Sequence, residues 1–445
     1  MKFSQFNSIL EYRDQFALFN SYHNKVILLD PKVHLLLKSS NDIDDIENHH
    51  PSLFYYLIRH KFIIDNSVDE VKDIINLRTI IDENKKEFIL FVNPTMNCNF
   101  NCWYCYEKKI KNSKIDTITL IKIEKYLKNL FNENPSLKSF SLSFFGGEPL
   151  LFFRKNVIPL IDNFIFNCNK FGVLNNVNFT TNGFLVNDFL IDYFLKNNIS
   201  PSFQITLDGF KNDHNITRYN KTIKDSYTKI IKNIRLLLNN LFFVRVRINY
   251  TDKNITHLSK ILNDFNDLTP DIKDNYLVFD FQRVWQNENG LNIDEILYKT
   301  ILQFKEEGFN VNHKNNMNNL IDPCYADKRN SLIINYNGDI YKCTARDFNP
   351  ANREGFIDEN GYIIWINEFL EKRMHIKFKN KTCFSCKIFP ICIGGCSQQA
   401  LENNGNDYCI YFNDETKIMN VIRDKIENLL YNKDVKIPTL NENSS

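Results

Sequence analysis

The stretch FILFVNPTMNCNFNCWYC, residues 88–105, joins an apolar strand signal to three closely spaced cysteines. FILFV (88–92) is a short apolar run of the kind that forms a buried strand. The cysteines follow almost at once with the spacing C-x3-C-x2-C: Cys98, Cys102 and Cys105. A zinc site usually takes four ligands and a disulfide takes two, so three thiols gathered behind one strand suggest a different group. An iron–sulfur cube has four irons, each normally capped by a cysteine thiolate, and three thiolates leave one iron open. An open coordination position is what a catalytic metal site keeps. At this point zinc with a distant fourth ligand remains the alternative.

The rest of the chain bounds that reading. It has 445 residues, enough for two to four domains at roughly 150 residues each. Hydrophobic residues make up 43% and charged residues 24%, the balance of a globular protein with a buried core. The formal net charge is +2, so no electrostatic field argues for a nucleic-acid partner. The opening MKFSQFNSILEYRDQFALFN lacks the continuous apolar core of a signal peptide. No apolar run approaches the roughly 18 residues that span a bilayer, so no membrane partner is expected and the chain reads as cytoplasmic. Eleven cysteines are many for a reducing compartment, where clustered cysteines more often bind metal than form disulfides. Cys168 stands outside the tight spacings, follows Ile165 on an apolar helical face, and reads as a core thiol.

Outward from FILFV, strand signals recur at SFSLSFF (139–145), NVNFT (176–180), FQITL (203–207), FVRVRIN (243–249) and LVFDFQ (277–282). Apolar residues at helical spacing lie between them: Leu120, Ile123, Leu127 and Leu130, then Tyr227, Ile230, Ile234 and Leu237, then Leu258, Ile261, Leu262 and Phe265. Six βα units in series predict an α/β fold, a partial (β/α)6 TIM-like barrel over residues 87–309 with its site at the C-terminal strand ends. Residues 1–86 read as a small winged-helix-like domain, in which QFALF and KVILLD flank a turn and two helical stretches and an FII strand follow. The charged DENKKE (82–87) marks its boundary. Residues 310–420 are loop-rich and hold the remaining seven cysteines, and residues 421–445 read as a C-terminal helix and tail.

C-x3-C-x2-C after a first strand, with Tyr104 just before its last cysteine, resembles the signature of the radical SAM superfamily. The resemblance implies a 4Fe–4S cluster on Cys98, Cys102 and Cys105. It also implies S-adenosylmethionine at the open iron, cleaved reductively to a 5′-deoxyadenosyl radical. FFGGEPLL (144–151) carries Gly146, Gly147, Glu148 and Pro149 and is similar to the family's GGEP segment, which holds the methionine amino group. Two glycines at a strand end also let the backbone come close to a ligand. ITLDGFKNDHNITR (205–218) resembles the family's S-x-D-G segment, which implies Thr206 on the nucleoside and Arg218 on the carboxylate of S-adenosylmethionine. The alternative is a plain turn at Asp208-Gly209 and a surface arginine. Phe145 departs from the pattern, standing where sulfatase-maturing relatives have glutamine.

Seven cysteines and a glycine follow in order: Cys324, Gly338, Cys343, Cys383, Cys386, Cys392, Cys396 and Cys409. The spacing is C-x13-G-x4-C, then C-x2-C-x5-C-x3-C, then C. It resembles the SPASM domain, which carries two auxiliary 4Fe–4S clusters in radical SAM enzymes that modify peptides; a zinc ribbon is the bland alternative. By position, the resemblance implies an outer cluster on Cys383, Cys386, Cys392 and Cys409 and an inner one on Cys324, Cys343 and Cys396, three clusters in all. No cysteine between Gln282 and Pro323 completes the inner set, which implies an open iron or a ligand other than cysteine. Sulfatase maturases place a proton-accepting aspartate after the equivalent of Cys343; here that position is Thr344, with Asp347 further on.

The expectation is a radical SAM/SPASM maturase that crosslinks a ribosomally synthesised precursor peptide through a C–S or C–C bond. A flavodoxin- or ferredoxin-type electron donor is implied, and residues 1–86 resemble PqqD-like domains that recognise precursor leaders. No individual catalytic residue is assigned. The alternatives are formylglycine formation as an anaerobic sulfatase maturase and a non-catalytic peptide-binding carrier.

Overall fold

The structure is a computed structural model that describes residues 1–40, 42–284, 286, 293–313, 318–405, 408–431 and 439–440. The chain divides into two compact units.

The first unit comprises Met1–Asn84, Asn315–Arg329 and Leu370–Ser445. Its N-terminal strands are β1 (Lys2–Phe3), β2 (Asn7–Tyr12), β3 (Gln15–Asn20), β4 (Lys25–Leu29) and β5 (Ile63–Ile64). The expected hairpin is present as β3–β4, and β2 extends it into an antiparallel meander. β2 was not legible in NSILEY, whose burial follows no clean alternation because the strand lies at an edge. Alternation along the inner strands decides what each face covers. Leu18, Ile27 and Leu29 pack on helices Pro31–Ser39, Ile43–His49 and Pro51–Arg59. Ala17, Phe19 and Val26 face the other way, onto Ile388, Ile391 and Ile422 and Ile426 of helix Glu415–Tyr431. These three N-terminal helices and a fourth, Glu70–Asp82, start at side-chain caps, Asp30, Asp42, His50 and Asp69, and two of them have proline in the first turn. Of the tail expected after that last helix, only the short strand Thr439–Leu440 is among the described residues.

The second unit comprises Lys85–Lys314 and Asn330–Phe369. All six predicted strands form: β6 (Glu87–Val92), β8 (Ser139–Phe144), β9 (Leu174–Thr181), β10 (Ser202–Leu207), β12 (Phe243–Tyr250) and β13 (Leu277–Arg283). A short ribbon pairs β7 (Asn101–Cys102) with β11 (Arg218–Tyr219). β14 (Asn310–His313) and β15 (Ser331–Ile334) add to the two edges of the six, giving the parallel order β14-β13-β12-β10-β9-β8-β6-β15. β16 (Asp339–Tyr341), β17 (Gly355–Ile357) and β18 (Ile363–Trp365) continue it antiparallel. This mixed α/β unit with a large parallel sheet has the make-up of a partial TIM-like barrel. The residues of SFSLSF, SFQITL and VRVRI (244–248) alternate: Phe, Leu, Val and Ile are buried against the helices, whereas Ser, Gln, Thr and Arg turn to the other face. The parallel registers, with Val92 opposite Phe144 and Leu207 opposite Ile248, bring the loops after the strands to one end.

One predicted α-helix is a 3-10 helix, Ile255–Asp264. Ile255, Leu258 and Ile261 recur every third residue and are all buried, and three residues per turn keep them on one stripe. Cys168 is fully buried, as expected. No helix among the described residues is long and apolar enough to cross a membrane.

Candidate functional site

The loop after β6 carries Cys98, Cys102 and Cys105, and its start is pinned before the first cysteine. Thr95 Oγ1 donates to the Ser113 carbonyl (2.6 Å) and accepts from Asn97 N (2.9 Å), while Ser113 Oγ accepts from Met96 N (2.9 Å). Further on, β7 pairs antiparallel with β11, which sets Cys102 opposite Arg218. Asn182, in the TTNG loop, donates to Asn99 Oδ1 at 2.7 Å and reaches Cys98 Sγ at 3.9 Å.

Gly146 and Gly147 are needed where they stand. Gly147 N donates to Thr95 O (3.0 Å) and Glu148 N to Asn97 O (2.9 Å), so the turn closes directly on the cysteine loop. A Cβ on Gly146, which has φ +96°, would lie 2.6 Å from Thr95 O, and one on Gly147 would collide with the Asn97 carbonyl. Glu148 points inward rather than into the site. It is fully buried and accepts from Thr181 Oγ1 (2.6 Å), Asn182 N (2.8 Å) and Leu150 N (3.1 Å), tying the end of β8 to the end of β9. Burial pushes its carboxyl up, against the pull of those donors. Pro149, also buried, opens the 3-10 turn Pro149–Phe152 behind it.

Arg218 is a buried residue, not a surface charge. Its Nε lies 2.6 Å from Asp208 Oδ2 and its Nη2 donates to Tyr104 Oη at 3.1 Å. Tyr104 in turn donates to Asp208 Oδ1 (2.7 Å), and Asn249 Nδ2 donates to both Tyr104 Oη (3.0 Å) and Asp208 Oδ1 (3.2 Å). Asp208 is therefore the anchor on which the arginine and the cysteine-loop tyrosine meet. Sequence reasoning missed Asn249; its one signal was a polar residue on the polar-facing side of FVRVRIN.

These residues border one cavity of about 420 Å³, lined by the three cysteines, Tyr104, Gly146, Gly147, Thr206 and Arg218. The polar strand residues Thr180, Gln204, Arg247 and Asn249 supply its floor, and Phe145, Thr344 and Ala345 lie on its wall. Glu148 and Pro149 support the lining from behind. Phe145 belongs to an apolar cluster with Met96, Ile333, Tyr341 and Phe348, so a ring fills the space at the position noted for glutamine. Burial pushes the Cys98 thiol up to about 12, with Glu148 adding to it, and burial raises Cys105 to about 11. Thiols so poorly ionised become good ligands only when a metal takes the proton's place. Three of them on one cavity of this size, with glycine backbone closed against their loop, fit a cluster held by three thiolates with room beside it for a ligand. Glu107 also lines the cavity; burial and Asp347 raise its carboxyl well above the usual range.

In the first unit, Cys383, Cys386, Cys392 and Cys409 border a second cavity of about 410 Å³. Burial raises Cys392 to about 12 and Cys383 to about 11, each pushed further by neighbouring sulfurs. Gly394 (φ +70°) turns the chain where a Cβ would meet the Lys377 carbonyl at 2.5 Å. The set assigned to an outer cluster is thus brought together. The remaining three divide, Cys324 and Cys396 in the first unit and Cys343 in the second. No disulfide joins any of the eleven cysteines, all of which are among the described residues.

Residues 92–258 match the family described as the Radical SAM superfamily. The cysteine-type anaerobic sulfatase-maturating enzyme of Clostridium novyi is 30% identical over 191 residues, 40% of this chain and 48% of that protein, so the match spans about half of that relative's length. The radical SAM cyclopropyl synthase TigE of Paramaledivibacter caminithermalis is 24% identical over 458 aligned positions, 90% of each chain. Among solved structures, native anSMEcpe with bound AdoMet superposes with a TM-score of 0.53 at 18% identity, covering 76% of this chain and 99% of that one. Streptococcus suis SuiB bound to precursor peptide SuiA gives 0.51 at 17% identity, covering 89% and 95%. Both likenesses establish the fold.

Proposed function

We propose, on the premise that residues 92–258 are a radical SAM domain, that this chain is a maturase that modifies a peptide, joining a peptide carbon to sulfur or carbon. The observation that carries the reading is the convergence of Cys98, Cys102, Cys105, Gly147, Thr206 and Arg218 on one cavity at the strand ends. When bound, the 4Fe–4S cluster and S-adenosylmethionine supply a one-electron reductive C–S cleavage and hence a carbon radical able to take hydrogen from a peptide carbon. The chain's own residues bind and orient. The three thiols hold the cluster, Thr206 offers a hydroxyl to a nucleoside, and Arg218, already fixed by Asp208, turns its remaining guanidinium face to a carboxylate.

The second cavity, with its four cysteines, supports an outer auxiliary cluster; an inner one on Cys324, Cys343 and Cys396, making three clusters in all, rests on the cysteine spacing alone. A peptide substrate is favoured by SuiB, solved bound to the precursor peptide SuiA, and by residues 1–86, whose meander and four helices suit leader recognition. A flavodoxin- or ferredoxin-type donor in a reducing cytoplasm would supply the electron. Formylglycine formation is the second reading, supported by the Clostridium novyi match and opposed by Thr344 beside Cys343.

The deciding experiment is anaerobic reconstitution, with roughly 12 irons per chain expected, followed by product analysis. Cys102→Ala should abolish 5′-deoxyadenosine formation, while Cys392→Ala should retain uncoupled formation and yield no modified peptide. Deoxyadenosine formed at parent rates by both variants would refute these roles.

A further inference from the structure

Four buried charged side chains of the first unit, Arg78, Asp82, Asp327 and Lys377, meet behind its cysteine segments, and the chemistry proposed above uses none of them. Asp327 is their centre. Its Oδ2 accepts from Arg78 Nη2 (2.9 Å) and Lys377 Nζ (2.7 Å), and its Oδ1 accepts from Ser397 Oγ. Arg78 Nε lies on Asp82.

Each partner leads to a cysteine. Ser397 directly follows Cys396, and Asp327 N donates to the Cys324 carbonyl (3.0 Å). Arg78 also donates to Asn319 O, and Asn319 Nδ2 donates to the Cys392 carbonyl (3.2 Å). Lys377 lies against the loop between Cys392 and Cys396, where a Cβ on Gly394 would stand 2.5 Å from the Lys377 carbonyl.

A buried ammonium loses its hydration, and a carboxylate already shared with a guanidinium offsets only part of that loss. Methionine would fill the same space without it, so the charge is the feature to account for. That charge reaches Cys392: burial disfavours the thiolate there, and Lys377 works in the other direction. Little water lies between to screen it. A 4Fe–4S cube on four thiolates becomes more negative when it takes up an electron, and the charge around it helps set its potential. A fixed cation on one side favours the reduced state.

We propose that Lys377, held on Asp327, sets the potential of the site formed by Cys383, Cys386, Cys392 and Cys409, its buried charge making a cluster there easier to reduce. The inference rests on the outer auxiliary cluster proposed above and adds the residue that tunes it.

The test is a potentiometric titration of the anaerobically reconstituted full-length chain, read by electron paramagnetic resonance. Every chain carries Cys98→Ala, Cys102→Ala and Cys105→Ala to silence the first site, and the signal lost on adding Cys383→Ala marks the outer one. Lys377→Met should keep its iron and make reduction of the outer site at least tenfold less favourable, a midpoint lower by about 59 mV or more. Lys377→Gln, whose amide can still donate to Asp327, should do the same and serves if methionine disturbs the packing. Lys377→Arg keeps the charge and should hold the parent midpoint. Lys379→Met is the control, because Lys379 is two residues away but exposed to water, and it should shift nothing. An unchanged midpoint in Lys377→Met or Lys377→Gln, an equal shift in Lys377→Arg or Lys379→Met, or loss of iron from both neutral variants overturns the proposal. A parent chain with no iron at the outer site would refute that cluster and this inference together, whereas an unchanged midpoint would leave the cluster standing.

Discussion

Arg218 Nε and Asp208 Oδ2 lie 2.6 Å apart with side chains only 9% and 2% exposed, and this pair joins two ends of the site. Asp208 follows β10, while Arg218 opens the two-residue strand that pairs with Cys102. The carboxylate also accepts from Tyr104 and Asn249, so one side chain orients the arginine, the cysteine loop and the end of β12.

Asp208→Ala should therefore be far more harmful than the loss of a surface pair. It strands a buried guanidinium, at a cost of about 3–5 kcal/mol. Urea unfolding should show that loss, and isothermal titration with S-adenosylmethionine should show weakened binding. A loss within the ~1 kcal/mol typical of exposed pairs would remove Asp208 from its anchoring role.

Gly147→Ala should prevent the glycine turn from closing on the cysteine loop, because the added Cβ meets the Asn97 carbonyl. Iron bound at the first site should fall while the auxiliary iron remains. Gly172→Ala is the control: its φ is also positive, +65°, but nothing lies within 4 Å, so only a backbone cost of about 1 kcal/mol is expected. Iron analysis and thermal unfolding of the two variants check this.

His214 is fully buried, accepts from Asp208 N at 3.3 Å, and is pushed down to about 3 by burial and by Arg218. It stays neutral in the folded chain between about 3 and its ordinary value of 6.5, where the unfolded chain takes up a proton. Stability should accordingly be complete above pH 6.5 and fall as pH drops, with a limiting slope of about 1.4 kcal/mol per pH unit. His214→Gln should flatten that slope between pH 6.5 and 5.5 in chemical denaturation. An unchanged slope would show that His214 is not the group responsible.

Arg78 is completely buried in the first unit and bonds Asp82 at 2.7 Å and Asp327 at 2.9 Å. Asp327 also takes Lys377 Nζ (2.7 Å) and Ser397 Oγ, while its backbone N bonds the Cys324 carbonyl (3.0 Å). Arg78→Met removes the guanidinium that pairs directly with buried Asp82 and should cost about 3–5 kcal/mol. If Cys324 and Cys396 hold the inner cluster, iron should drop toward roughly eight per chain. Unfolding curves and iron content together decide.

Much of this protein was legible in spacing. The three cysteines, the paired glycines and the cysteine order of residues 324–409 are statements about a few covalent bonds, and βα alternation places the first two behind strand ends whatever else the chain does. The six strands were legible because each carries a local signal, a period-two pattern in SFSLSF, SFQITL and FVRVRI and a short apolar run in FILFV. β15 was not: SLII is buried throughout and shows no alternation, and its place beside β6 depends on a pairing across more than 200 residues. Glu148 illustrates the limit within a motif, since GGEP announces a carboxylate at the site but not that it faces Thr181 and Asn182 instead of the cavity.

What only the folded chain decided are the partnerships. Asn249 meets Tyr104 from 145 residues away, and the first 84 residues share a unit with 315–329 and 370–445, Phe6 and Ile74 packing with Leu320 and Phe389. The tail at Thr439–Leu440 pairs with β4 from the opposite end of the sequence. The reason is physical. A local spacing is enforced by the covalent chain, whereas the choice of a distant partner is made by burying apolar surface and satisfying buried polar groups together, a cooperative outcome of the whole chain.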